Sequence, residues 1–185
     1  MIITIGGNLG AGKTTLAARL VQSLGYEELY MGGIFRQLAF EQGFTIEEFY
    51  ARLKNNPQVE RDADKRQEQL MREKDNLVVQ GRIAWYFAKK SPFKKLNVFL
   101  AVDEKIGTER TAKRPENATR SIDELAKANV LRAKREQERY RSLYGIENFL
   151  DPSHYDFVLD TSALTEDEVF QKTMDEIKKR QTSDA

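Results

Sequence analysis

Residues Ile2–Thr15 read IITIGGNLGAGKTT: an apolar run, a glycine-rich turn, then the polar start of an amphipathic stretch. From Gly7 to Thr14 the chain matches G-x-x-x-x-G-K-[ST] at every fixed position. Each residue type has a physical reason. Glycines let the backbone turn its amide N–H groups inward, making a nest for phosphate oxygens. The helix expected over Thr14–Leu24 adds unpaired donors and the positive end of its dipole. Lys13 is a point charge able to bridge β- and γ-phosphates, and the Thr14 hydroxyl can sit on Mg²⁺. Gly7, Asn8, Leu9, Gly10, Ala11, Gly12, Lys13, Thr14 and Thr15 therefore form the candidate nucleotide-binding segment, with Thr14 the candidate metal ligand.

Outward from this loop, further apolar runs read as buried parallel strands: Asn76–Gln80, Leu96–Val102, Asp156–Asp160 and, more weakly, Glu28–Met31. Amphipathic stretches lie between them, the pattern of a parallel sheet built from βαβ units. Thr45-x-x-Glu48, Ser121-x-x-Glu124 and Thr165-x-x-Glu168 fit the capping box that opens a helix. Pro57 suits the first turn of a helix running to about Glu73, and Ile122–Tyr144 reads as one long charged helix. The basic, polar stretch Arg110–Arg120 predicts a mobile loop, and Arg180–Ala185 a frayed tail.

The 185 residues are 40% hydrophobic, enough for one domain with a genuine core, and no repeat or linker divides them. Charged residues nearly cancel to a net +1, which argues against a nucleic-acid binder working through one broad basic field. There is no cysteine, hence no disulfide framework and no thiolate zinc site. No signal-peptide core and no membrane-length apolar run is seen, so the expectation is a soluble cytoplasmic monomer without membrane or nucleic-acid partners.

A phosphate loop alone serves switches, motors and kinases. No guanine-specificity motif of the Asn/Thr-Lys-x-Asp type is present, and a motor is usually much longer. A kinase needs a second anion site and a cover that excludes water. Arg36 follows the second strand, and Gly81-Arg82 follows the third, at the sheet end where ligands bind. Arg110, Arg114 and Arg120 populate the presumed lid. Arg132 and Arg139 share a helix face, with Glu136 beside them. The sole histidine, His154, is expected to be structural or exposed.

With GGNLGAGKTT, the segments GGIFRQLAFEQGFTIEEF, NPQVERDADKRQ, NLVVQGRIAW, QERYRSLYGI and YDFVLDTSALTEDEV resemble the cytidylate kinases, in particular their short archaeal-type branch. The resemblance spans nearly the whole chain. It implies an ATP- and Mg²⁺-dependent CMP/dCMP kinase. The implied fold is α/β, three-layered, with a five-stranded parallel sheet of order 2-3-1-4-5, helices on both faces and a short lid. Residues 1–185 would be one nucleoside monophosphate kinase domain, with the acceptor-binding helical segment at about 32–75 and the lid at about 110–121. Carried over by position, Arg36 and Arg139 would hold the acceptor's phosphate, and Arg132 and Glu136 would lie near its sugar or phosphate. Gly81 and Arg82 would lie by the cytosine, with Asp64 and Gln67 facing the base. Arg110 and Arg114 would cover the donor, so that Lys13, Arg110, Arg114 and Arg139 carry the catalysis. Thr161-Ser162-Ala163 would border the adenine.

Three positions depart from the family pattern. Gln80 stands where an acidic residue is expected before Gly-Arg. Gly33 replaces a residue with a side chain, and Lys13 stands where most of the archaeal-type branch carries threonine. Other acceptors (AMP, UMP or a hydroxylated metabolite, with Asp103 or Asp160 as base) and a weakened nucleotide-binding switch stay open as alternatives.

Overall fold

Parallel pairing of the apolar runs builds the sheet. The computed structural model describes residues 1–45, 48, 49, 52 and 57–182. Among these, β1 (Ile2–Gly7), β2 (Glu27–Tyr30), β3 (Leu77–Gln80), β4 (Lys95–Ala101) and β5 (Phe157–Asp160) form one all-parallel sheet in the order β2-β3-β1-β4-β5. The expected order is the observed one, with strand ends shifted by one or two residues. β1 is central, so every one of its residues is buried, and its carboxyl end delivers the phosphate loop to the middle of the sheet.

Alternation along the strands supplies two cores. Ile3, Ile5, Val98 and Leu100 face α1 (Lys13–Leu24) and the last helix, whose Leu16, Leu20, Val169 and Ile177 complete that layer. Ile2 and Val79 face the other way, against Met71, Trp85, Phe87, Tyr140 and Phe149. Burying both faces is what a parallel sheet requires, and it explains why the central strands β1 and β3 are buried along their whole length. Trp85 stacks on His154, ring centroids 3.9 Å apart at 19°, with the Lys89 ammonium 4.5 Å from the indole centroid. His154 is thus a packing residue.

The helices that carry the rest of the site are α2 (Met31–Glu41), α3 (Pro57–Glu73), the short α4 (Ala84–Ala88), α5 (Glu104–Ala112), α6 (Ile122–Tyr144) and α7 (Glu166–Thr182). All three expected capping boxes form: Ser121 with Glu124, Thr165 with Glu168, and Thr45 with Glu48. Two expectations are corrected. Arg110 belongs to a helix rather than a loop, because Asp103 accepts from the amides of Lys105 (3.0 Å) and Ile106 (3.2 Å) and so caps α5. Its buried residues are Gly107, Thr108 and Thr111, which give no apolar periodicity to read. Pro115–Asn117 then forms a single 3₁₀ turn. At the other end, α7 continues through Thr182, since Arg180 is held by Glu176 at 2.9 Å and lies 3.7 Å from Asp156. Residues 183–185 of the expected tail lie outside the described residues. No helix among the described residues is long and apolar enough to cross a membrane.

Candidate active site

The glycine-rich turn has the backbone that its sequence demands. Gly10 and Gly12 adopt φ of +75° and +86°, a region open to glycine at little cost. α1 starts at Lys13, and its first amides face into the turn. The Lys13 ammonium folds over the loop and donates to the carbonyls of Gly7 (3.1 Å) and Asn8. Behind the loop, the Thr161 hydroxyl shares its one proton between Ala101 O at 3.0 Å and Ala11 O at 3.3 Å, tying the turn to the end of β5. The phosphate nest is therefore braced from both sides.

One cleft runs from this loop into the half of the molecule built by α2, α3 and α6. It is lined by Leu9, Gly10, Gly12, Lys13 and Thr14 on the loop side. Across from them lie Arg36, Asp64, Gln67, Gly81, Arg82, Arg114, Arg132, Glu136 and Arg139. Gly7, Asn8, Ala11, Thr15 and Arg110 do not line it. Asn8 instead borders a second crevice with Leu9, Val102, Thr108 and Val130. Arg110 turns away, donating to Thr161 O at 2.8 Å and Thr161 Oγ1 at 3.2 Å, and so fixes the loop after β5.

Glu136 organises the cationic half. Arg132 Nε donates to its Oε1 at 3.0 Å, while Arg82 Nε stands 3.2 Å from Oε2 as an ion pair rather than an aligned hydrogen bond. Burial pushes this carboxyl up, but Arg82, Arg132 and Arg139 outweigh it and hold Glu136 below the ordinary glutamate value. Arg82 also donates to Gly7 O at 3.2 Å, joining the third strand's end to the phosphate loop. For Lys13 burial dominates. With Arg82, Arg132 and Arg114 nearby and only Glu136 opposing, its ammonium is held well below 10.5. The cleft thus concentrates positive charge with few counter-ions of its own.

Deeper in, Asp64 accepts the Tyr144 hydroxyl. Burial raises its pKa against the pull of Tyr144 and Arg139. Gln67, three residues on and 3% exposed, keeps an amide nitrogen without a partner. Arg36 lies over the Tyr30 ring, 5.2 Å from its centroid. Gly33 is explained by the same ring: a Cβ there would stand 2.8 Å from Tyr30 Cδ1. Gln80 donates to Thr14 Oγ1 at 2.9 Å and leaves its own buried Oε1 without a partner.

Tyr30, Phe35 and Tyr140 also line the cleft and were not expected from sequence, nor was Tyr144 behind Asp64. A signal for two of them exists. Arg132, Glu136, Tyr140 and Tyr144 recur every four residues and so form one row along α6.

The model of the cytidylate kinase-like family matches residues 2–163. The chain belongs to that family. Among curated relatives, the cytidylate kinase of Methanopyrus kandleri is 38% identical over 181 residues, covering 92% of this chain and 89% of its own. That of Methanocella arvoryzae is 35% identical and covers 97% and 99%. Among solved structures, the shikimate kinase of Acinetobacter baumannii in complex with shikimate superposes with a TM-score of 0.62 at 18% identity, covering 98% of this chain and 94% of that one. At that identity the likeness shows the fold alone, a P-loop kinase fold. Family membership gives the arginine-lined cleft a chemical context that its geometry alone leaves open.

Proposed function

We propose that this family member transfers the γ-phosphoryl group of ATP to CMP or dCMP. The observation that carries the reading is the continuous cleft joining Lys13 and Thr14 to Arg36, Arg82, Arg132 and Arg139, with Asp64 and Gln67 buried at its inner end. One end suits a triphosphate and the other a second anion with a polar base.

The chain's own residues do three things. The loop amides and Lys13 hold the donor phosphates, and Arg114 approaches from the lid side. Arg36 and Arg139 take the acceptor phosphate, offsetting its repulsion from the donor. Asp64 can accept from an exocyclic amine while Gln67 Nε2 donates to a ring acceptor, an adjacent donor and acceptor pair that cytosine presents. No general base is required, because a phosphate oxygen is already anionic. That favours a phosphate over a hydroxyl acceptor. Asp103 caps α5, and Asp160 accepts from Ser162 N and Oγ, so neither faces the cleft as a base. The cleft carboxylates are likewise engaged, Glu136 by arginines and Asp64 by Tyr144.

Mg²⁺ fits the residues present. Thr14 Oγ1 and the orphaned Gln80 Oε1 are neutral oxygens, which suit a hard cation that keeps most of its water shell. Thr14 would hold it directly and Gln80 through water. When bound, the ion neutralises charge on the transferring phosphates.

The deciding experiment is ADP release with Mg²⁺·ATP against CMP, dCMP, UMP, AMP and GMP. A rate rising with CMP or dCMP is expected, and a flat background with all five removes the reading. Arg36→Ala should raise KM for CMP about tenfold or more while KM for ATP stays nearly unchanged. Equal effects on both would take Arg36 out of the acceptor site. A pH profile follows from Lys13. Its lowered pKa makes the free enzyme lose the ammonium at lower pH than an ordinary lysine. kcat/KM for ATP therefore declines on an alkaline limb lying below 10.5. Phosphates raise the same group in the complex, so the limb in kcat sits higher. A kcat/KM profile with no alkaline decline below 10.5 would contradict this.

A further inference from the structure

We infer that Gly107 is a positioning residue: its missing side chain lets α5 rest directly on the phosphate loop, so that filling the loop with phosphate is felt by the segment that leads to Arg114. Gly107 is buried inside α5 at an ordinary helical φ, where glycine is a poor choice by conformation alone. Its reason is close approach. A Cβ built on Gly107 would stand 2.6 Å from Leu9 O and 3.0 Å from Val102 Cγ1. Reciprocally, a Cβ on Gly10 would stand 2.2 Å from Gly107 O and 2.6 Å from Gly107 Cα. Two backbones touch there with no side chain between them. Gly10 sits at the turn of the loop, with φ +75°, so this contact bears on the part of the chain whose amides meet phosphate.

α5 can pass on such a push because it is held at both ends. Asp103 caps its start, and Arg110 in its last turn anchors to Thr161 O. Arg114, which lines the cleft, follows two residues beyond its end. The 2.6 Å contact of a Gly107 Cβ is with a backbone atom, Leu9 O, and cannot be relieved by a rotamer change. An added methyl at 107 therefore moves the helix off the loop, carrying Arg114 with it.

The kinetic arm of the test rests on the kinase reading, and the exchange arm needs only phosphate at the loop. In Gly107→Ala, kcat/KM for ATP should fall about tenfold to a hundredfold, with KM for CMP within about twofold and a cooperative melt retained. In the unaltered protein, inorganic pyrophosphate should slow amide exchange across residues 107–112 as well as in the loop. Pyrophosphate carries no base that could touch Arg110. In the variant the slowing should persist in the loop and vanish from α5. The inference is overturned if Gly107→Ala keeps kcat/KM for ATP within about twofold of the parent. It is equally overturned if pyrophosphate slows the loop and leaves α5 unchanged, a result readable on the unaltered protein even should the variant not fold. Slowing in neither segment overturns phosphate binding at the loop, and the inference with it.

Discussion

Lys13→Ala is expected to lower kcat by about two to three orders of magnitude, corresponding to about 3–4 kcal/mol of lost transition-state stabilisation. The ammonium is bonded to two carbonyls of the phosphate loop, Gly7 O and Asn8 O, whereas Arg82 reaches Gly7 O alone. No neighbour can replace it there. Arg82 touches the loop only at Gly7 O and is held there by Glu136, and Arg110 is turned to the β5 end. The same substitution should leave the fold intact. Burial and three nearby guanidiniums work against a charge at this position, so removing it relieves an unfavourable interaction even as two carbonyl contacts are lost. Stopped-quench turnover and calorimetry on one preparation separate the two effects. Near-normal turnover would remove the loop from the chemistry, whereas a collapsed melt would mean that Lys13 is structural.

Glu136→Ala should cost more stability than any other single change in the cleft. The carboxylate is 4% exposed in its side chain and faces Arg82, itself 11% exposed, as well as the more open Arg132. Removing one partner of a buried ion pair costs about 3–5 kcal/mol, because the remaining charge is left without compensation. For a domain of this size that is a fall in Tm on the order of 10 °C. The pH dependence has a definite sign. Glu136 is held below its ordinary 4.5, so its stabilisation is present above that pH and is lost as pH falls through the depressed folded value. Alanine at 136 should flatten the acid side of the stability profile. Phosphate in the buffer should return part of the lost Tm, more than it adds to the parent, since it supplies the missing anion. A Tm within a degree or two of the parent would show that the arginines are solvated without Glu136.

The fold was readable because its information is local. Ile2–Gly7 and Leu77–Gln80 are apolar but for Thr4 and Gln80, and the strand-end residues Gly7, Gly81 and Arg82 mark where a parallel sheet opens its crevice. The loop, Arg36, Arg82, Arg132, Glu136 and Arg139 meet in one cleft because each follows a strand end or lies on one face of α6. What escaped was either non-local or silent in hydropathy. α5 packs on glycine and threonine rather than on leucine, so no periodicity announced it. The direction in which Arg110 turns depends on Thr161, 51 residues away. The Tyr144–Asp64 contact joins residues 80 apart. No window of sequence contains either pair.

The chain has a single tryptophan, and its setting makes it an optical instrument. Trp85 follows Ile83 and Ala84, both of which line the cleft, and its indole stacks on the His154 ring with the Lys89 ammonium close by. An imidazole at stacking distance and a cation over the ring both quench indole emission. If a monophosphate enters the cleft as proposed, a shift of the Gly81–Ala84 turn, which adjoins Trp85, would change that stacking. Acceptor occupancy would then be followed by the protein's own fluorescence, without label or coupling enzyme, and a titration of that signal would read binding separately from turnover.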